Sequence, residues 1–252
     1  MLIFHRKEMN FVKATEYKIK TGRVMYIFEA AFEYLISILV TGSFLATVTK
    51  ELGFSDSLTG IVSSVISLGC IFQLMSITLR HRSVKKLVIA LSIINQFLFL
   101  LIYLIPFLNI SENVKISLFL VSIFAAYIIY NFAHPKKINW LMSLVNDSKR
   151  GKFTANKEVV SLLAGMIFSF IMGAVTDHFA EMDKIKTAFS VSAAVIFALM
   201  LLHTFSMVFT VEKEIPYSEK TSIKQNLKYL LENKNIIKVT AVFVIYYIAH
   251  YA

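Results

Sequence analysis

The sequence predicts an all-α integral membrane protein. Three observations lead there. First, 57% of the 252 residues are hydrophobic and only 17% are charged, whereas a soluble domain carries about 45–50% apolar and about 25% charged residues. The mean hydropathy is correspondingly high, at +0.67. Second, the apolar residues gather into seven runs, most of them close to the ~20 residues that cross ~30 Å of hydrocarbon at ~1.5 Å per residue. Third, the basic residues fall almost wholly on alternate linkers between these runs.

Taken in order, residues 1–23 form a short basic tail. They lack the continuous apolar stretch and small-residue cleavage site of a signal peptide. The spans cover residues 24–47, 58–79, 87–105, 116–132 (with an extension toward 145 left open), 159–175 and 188–209. Residues 24–210 thus read as a six-helix transmembrane bundle. Residues 211–235 form a polar inter-span loop with a predicted surface helix over 222–233, and residues 236–252 a seventh span. That last span stops without a polar flank after Tyr251, and it reads as the truncated end of a longer chain. None of the runs shows the two-residue alternation of a membrane β-barrel strand.

Of the 26 basic residues, all but Lys50, Lys115, Lys184 and Lys186 lie in the N-terminal tail, after span 2, between spans 4 and 5, or between residues 213 and 238. Basic loops stay in the cytoplasm, so the N-terminus is expected there, in a cell-membrane protein. The net charge of +10 is therefore a topology signal, and a nucleic-acid partner is excluded. The single cysteine, Cys70, excludes an intrachain disulfide and a cysteine-based metal cluster. No cofactor motif is present.

The acidic residues within a span are Glu29 and Glu33 of span 1. They stand at i and i+4, and Ser37 and Thr41 continue the same face. A carboxylate deep in a bilayer costs roughly 2.5–3.5 kcal/mol on insertion scales, so this stripe is expected to avoid lipid and face a water-filled cavity. Lys136 and Lys137, just after Pro135, are candidate partners if helix 4 runs past the proline. Glu33 is the candidate coupling or cation-contacting group and Glu29 the partner of a lysine. The competing reading is a purely structural ion pair between helices 1 and 4. Tyr127, Asn131 and His134 share a second polar face, at i, i+4 and i+7. Gly165, Ser169 and Gly173 recur at four-residue steps, a pattern that lets another helix approach closely. Gln73, Asn95 and Gln96 are expected either to bond a neighbouring helix or to line a cavity. His203 reads as a hydrogen-bonded structural residue, and Trp140 as an interface anchor.

The linkers are more specific than the hydropathy. Span 2 leads into Leu79-Arg80-His81-Arg82-Ser83-Val84-Lys85-Lys86, and eleven residues after Pro135 comes Asn146-Asp147-Ser148-Lys149-Arg150-Gly151. This resembles the N-terminal half of a major facilitator superfamily transporter, whose loop between helices 2 and 3 reads roughly G-x-L-A-D-R-x-G-R-K. Leu79, Arg82, Lys85 and Lys86 match that gating-loop motif. His81 stands at its aspartate, and Ile77 and Val84 at its glycines. Arg150 and Gly151 match the helix 4–5 pattern.

The resemblance implies a six-helix bundle of two inverted three-helix repeats plus a seventh transmembrane helix, with helices 1 and 4 lining a central cavity. It implies a secondary active transporter, or its N-terminal fragment, that moves a small-molecule solute by alternating access. Protons are the candidate coupling ion, the lipid bilayer is a partner, and a C-terminal half is missing if the chain is truncated. An intramembrane enzyme and a non-transporting scaffold are the alternatives. Against the enzyme, the chain holds neither H-E-x-x-H nor G-x-S-x-G.

Overall fold

The computed structural model describes residues 2–55, 57–62, 72–73, 83–212, 232–235, 237–238 and 241–242. Most of span 2, nearly all of span 7, Cys70, most of the surface helix expected over 222–233, and Leu79, His81 and Arg82 lie outside the described residues. The chain divides into two compact units, Met1–Lys213 and Glu214–Ala252. In the second, residues 234–235, 237–238 and 241–242 are helical.

The regular structure of the first unit is helical, with no strand among the described residues. Its main helices are α1 (Leu2–Leu39), α2 (Gly42–Glu51), α3 (Val84–Leu104), α4 (Glu112–Met142), α5 (Arg150–Glu181) and α6 (Ile185–Phe209). Four of them, α3 to α6, are long and apolar enough to cross a membrane, and the bent pair α1–α2 is a fifth candidate.

Helix α1 differs from the expected first span at both ends. It begins within the tail at Leu2, because residues 2–21 contain neither proline nor glycine to stop it. It ends at Leu39, short of the expected Thr47. Thr41 is extended at φ −135° and Gly42 takes φ +54°, a conformation natural to glycine. The chain restarts as α2 at an angle of 41°.

A break inside an apolar bundle strands the last carbonyls of α1, which must find donors. Tyrosines of two other helices supply them: Tyr103 of α3 donates to the Leu39 carbonyl at 2.5 Å, and Tyr127 of α4 to the Val40 carbonyl at 3.3 Å.

Ser83 caps α3, its side chain accepting from the Lys86 amide. Helix α4 runs through Pro135 without stopping. The ring removes the amide that would have bonded the Asn131 carbonyl, but the helix persists to Met142 and keeps Lys136 and Lys137 in helical register with Tyr130 and His134.

Helix α3 packs on α4 and α6, and α1 on α5 and α6. The main core gathers Ile36, Leu39, Val48, Ile102, Phe119, Ile123 and Ile196, with edge-on ring pairs Phe54–Phe119 and Phe99–Tyr127. A smaller cluster at the other end joins Tyr26, Val88, Trp140, Leu141 and Met207. Trp140 is fully buried there, and its indole N–H donates to the Val211 carbonyl at 3.0 Å. This corrects its reading as an interface anchor: the ring closes the core between helices.

Candidate functional site

The site is built on α1. Glu29 and Glu33 lie one turn apart and meet Lys137 of α4, which the uninterrupted helix past Pro135 carries to their level. The Lys137 ammonium stands 2.8 Å from Glu29 Oε1 and also bonds Glu33 Oε2. Glu29 and Lys137 are almost wholly buried, while the Glu33 side chain keeps 23% of its exposure.

Glu29 Oε1 has a second partner. His203 of α6 reaches it through Nε2 at 3.1 Å, and His203 Nδ1 stands 2.9 Å from Gln96 Nε2 of α3. An amide N–H can only donate, so His203 Nδ1 accepts and Nε2 carries the proton given to Glu29. One chain of bonds therefore runs Gln96–His203–Glu29–Lys137–Glu33 and ties four helices together. It contains two carboxylates and one ammonium.

Glu29, Glu33 and His203 also bring one donor atom each within 4.8 Å of one another, a set that suits a metal ion by ligand count. The Lys137 ammonium already bonds both carboxylates, so the cation this set favours is supplied by the protein.

Glu33 opens onto a cavity of about 320 Å³ between α1, α3, α4 and α5. Of the residues singled out in the sequence, Glu33, Ser37, Thr41, Asn95, Gln96, Tyr127 and His134 line it, and Asn95 and Gln96 also bond neighbouring helices, Asn95 donating to the Ala126 carbonyl at 2.8 Å. Ser37 and Thr41 are satisfied by their own helix, donating to the Tyr34 and Ser37 carbonyls at 2.7 and 2.8 Å. Asn131 shares the helical face of Tyr127 but does not border the cavity. It is buried and accepts from Gln73 at 2.9 Å. Lys136 is half-buried beside Lys137.

The remaining candidates lie apart from the cavity. Lys85 Nζ donates to the Val208 and Thr210 carbonyls at 2.7 Å each, closing the end of α6. The Lys86 amide donates to Ser83. Arg150 pairs with Asp147 at 2.9 Å on the surface, where such a pair contributes little. A Cβ on Gly151 would meet open space. Gly165 is buried against Tyr34 and Ile38 of α1, while a Cβ on Gly173 would meet open space and Ser169 is half-buried.

Sequence reasoning passed over Tyr130, Lys157, Glu158 and Ser161, which also line the cavity. The two α5 charges sit at the foot of span 5, where they read as linker residues. It passed over Glu212 as well. This carboxylate accepts from the Val84 and Lys85 amides at 2.7 and 3.1 Å and from the Ser83 hydroxyl at 2.8 Å. It thereby holds the start of α3, where an anion is favoured. The linker holds three further glutamates, Glu214, Glu219 and Glu232, and the sequence does not single Glu212 out beyond its place directly after a span.

No curated protein and no solved structure matches the chain. The model of the Major Facilitator Superfamily matches residues 27–252. That match takes in the acidic helix, the cavity and nearly all of the chain beyond the N-terminal tail, and the chain belongs to the major facilitator superfamily of membrane transporters.

Proposed function

We propose that the protein is a proton-coupled secondary active transporter of a small solute, working by alternating access. The observation that carries this reading is the lysine of α4 shared between two carboxylates of α1, one buried and the other at the cavity wall. It sits in the cell membrane with its N-terminus in the cytoplasm, as the segregation of basic residues favours. Its first six spans form two inverted three-helix repeats, and residues 211–235 link them to the seventh.

In the resting arrangement Lys137 clamps α1 to α4 through both glutamates. Glu33, reached from the cavity, takes up a proton at its carboxylate. The neutral acid no longer holds the ammonium by charge, and Lys137 is left to Glu29. In a low-dielectric interior an ion pair is worth far more than in water, so this single proton loosens the α1–α4 contact. Moving one bundle against another is the step alternating access requires.

Proteoliposomes carrying the full-length protein and an imposed pH gradient test this against a panel of radiolabelled solutes. The wild type is expected to concentrate at least one solute above equilibrium. Glu33→Gln is expected to abolish that accumulation while retaining solute exchange at equal pH. Undiminished proton-driven accumulation by Glu33→Gln would remove Glu33 from the coupling step.

A further inference from the structure

The walls of the cavity specify a charge and a hydrogen-bonding sense. Glu33 and Glu158 border it, and Glu29 stands directly behind Glu33 on the shared lysine. Against these three carboxylates there are two ammonium groups, Lys137 and Lys157. Both are committed: Lys137 to Glu29 and Glu33, and Lys157 to Glu158 at 2.6 Å, with its Nζ 5.8 Å from the centre of the Tyr26 ring. His134 has no ion pair among the described residues. Carboxylates at the wall therefore outnumber ammonium groups by three to two.

Three polar atoms at the same cavity have no hydrogen-bond partner among the described residues: Gln96 Oε1, Ser161 Oγ and His134 Nδ1. Gln96 and Ser161 are 2% and 3% exposed, and a polar atom left unpaired at such depth is costly. The Gln96 amide nitrogen is taken by His203, which fixes its oxygen as an acceptor. A neutral His134 offers Nδ1 as a second acceptor when its proton is on Nε2, and a serine hydroxyl can act either way. The wall thus lacks donors, and its carboxylates outnumber its ammonium groups. Its remaining surface includes the rings of Tyr34, Phe99, Tyr127 and Tyr130, whose faces attract cations.

We propose that the solute is a small organic ammonium compound with an apolar body, its N–H donors serving Gln96 and Glu33 and its body lying among the aromatic rings. An anion meets a wall with no uncommitted ammonium, and a neutral polyol adds no cation to a wall richer in carboxylates. This inference rests on the reading of the cavity as the transport site.

The test is isothermal titration of the full-length protein in lipid nanodiscs with four probes of nearly one shape: 2-phenylethylammonium, its N,N,N-trimethyl analogue, 2-phenylethanol and 3-phenylpropionate. The primary ammonium is expected to bind tightest. Its trimethyl analogue keeps the charge but loses the donors, and should bind about tenfold more weakly, which corresponds to about 1.4 kcal/mol. The alcohol and the carboxylate should bind about a hundredfold more weakly or not at all. Ser161→Ala, a mild change checked by monodisperse elution, should weaken the primary ammonium severalfold. Glu33→Gln should erase its advantage over the alcohol.

If the alcohol or the carboxylate binds as tightly as the ammonium, and that binding still falls in Ser161→Ala, the ammonium class is overturned while the cavity stands as a solute site. If no probe binds, or binding ignores both variants, the cavity itself is overturned as the site.

Discussion

At the scale of single residues, Lys137 is the group on which the site depends. Removing one partner of a buried ion pair is more damaging than removing both, because it leaves a charge without solvent or counter-ion. Lys137→Ala would leave the buried Glu29 with only His203 as a partner, and it is expected to cost about 3–5 kcal/mol. Adding Glu29→Gln to Lys137→Ala should restore most of the loss. Thermal unfolding in detergent reads both variants, and a double variant no more stable than the single one would show that the ammonium acts alone.

The two glutamates are legible in the sequence because acids inside an apolar run have few places to go. Their partner is only half legible: Lys137 reaches them because α4 continues through Pro135, and a proline inside a helical pattern leaves that choice open. Gln96 and His203 are less legible still. They sit on different helices, and the bond between them joins residues 107 apart in the chain. Trp140 illustrates the same limit, since an indole near the end of a span is as compatible with a lipid interface as with the core it closes.

Among the elements, the break between α1 and α2 and the approach of α5 to α1 shape the cavity. The break went unread because Thr41 and Gly42 sit within an otherwise continuous apolar run, and the tyrosines that satisfy its carbonyls come from α3 and α4. The small-residue stripe of α5 is legible as a pattern, but only packing distinguishes its members. A Cβ on Gly165 would overlap the Tyr34 ring and stand 3.1 Å from Ile38 Cδ1. Gly165→Ala is accordingly expected to destabilise the bundle by about 1–3 kcal/mol through overpacking. Gly173→Ala meets open space and should be neutral or slightly stabilising, since alanine favours the helix. Equal melting temperatures for the two variants would contradict this packing of α5 on α1.

For the whole molecule, the most legible feature is the distribution of charge. It separates the linkers into two sets without reference to any contact, because a basic loop is read by the membrane one linker at a time. The bonds that close one end of the bundle are not legible in this way. Glu212 on the start of α3, Lys85 on the end of α6, and Arg23 donating to the Leu144 carbonyl at 2.7 Å all join distant parts of the chain. The orientation is open to a direct check. With Cys70 replaced, an impermeant thiol reagent applied to intact cells is expected to label a cysteine at Glu112 and not one at Ser148. The reverse pattern would invert the topology.

In the proposed transport cycle the cavity beside Glu33 opens to each face of the membrane in turn. Ser37 lines that cavity, and its hydroxyl bonds only to its own helix, so a cysteine there is expected to be tolerated. In the full-length protein without Cys70, Ser37→Cys should react with an impermeant thiol reagent from outside on intact cells. It should also react from the cytoplasmic side on inverted vesicles. Reaction from one side only, or from neither, would contradict alternating access through this cavity.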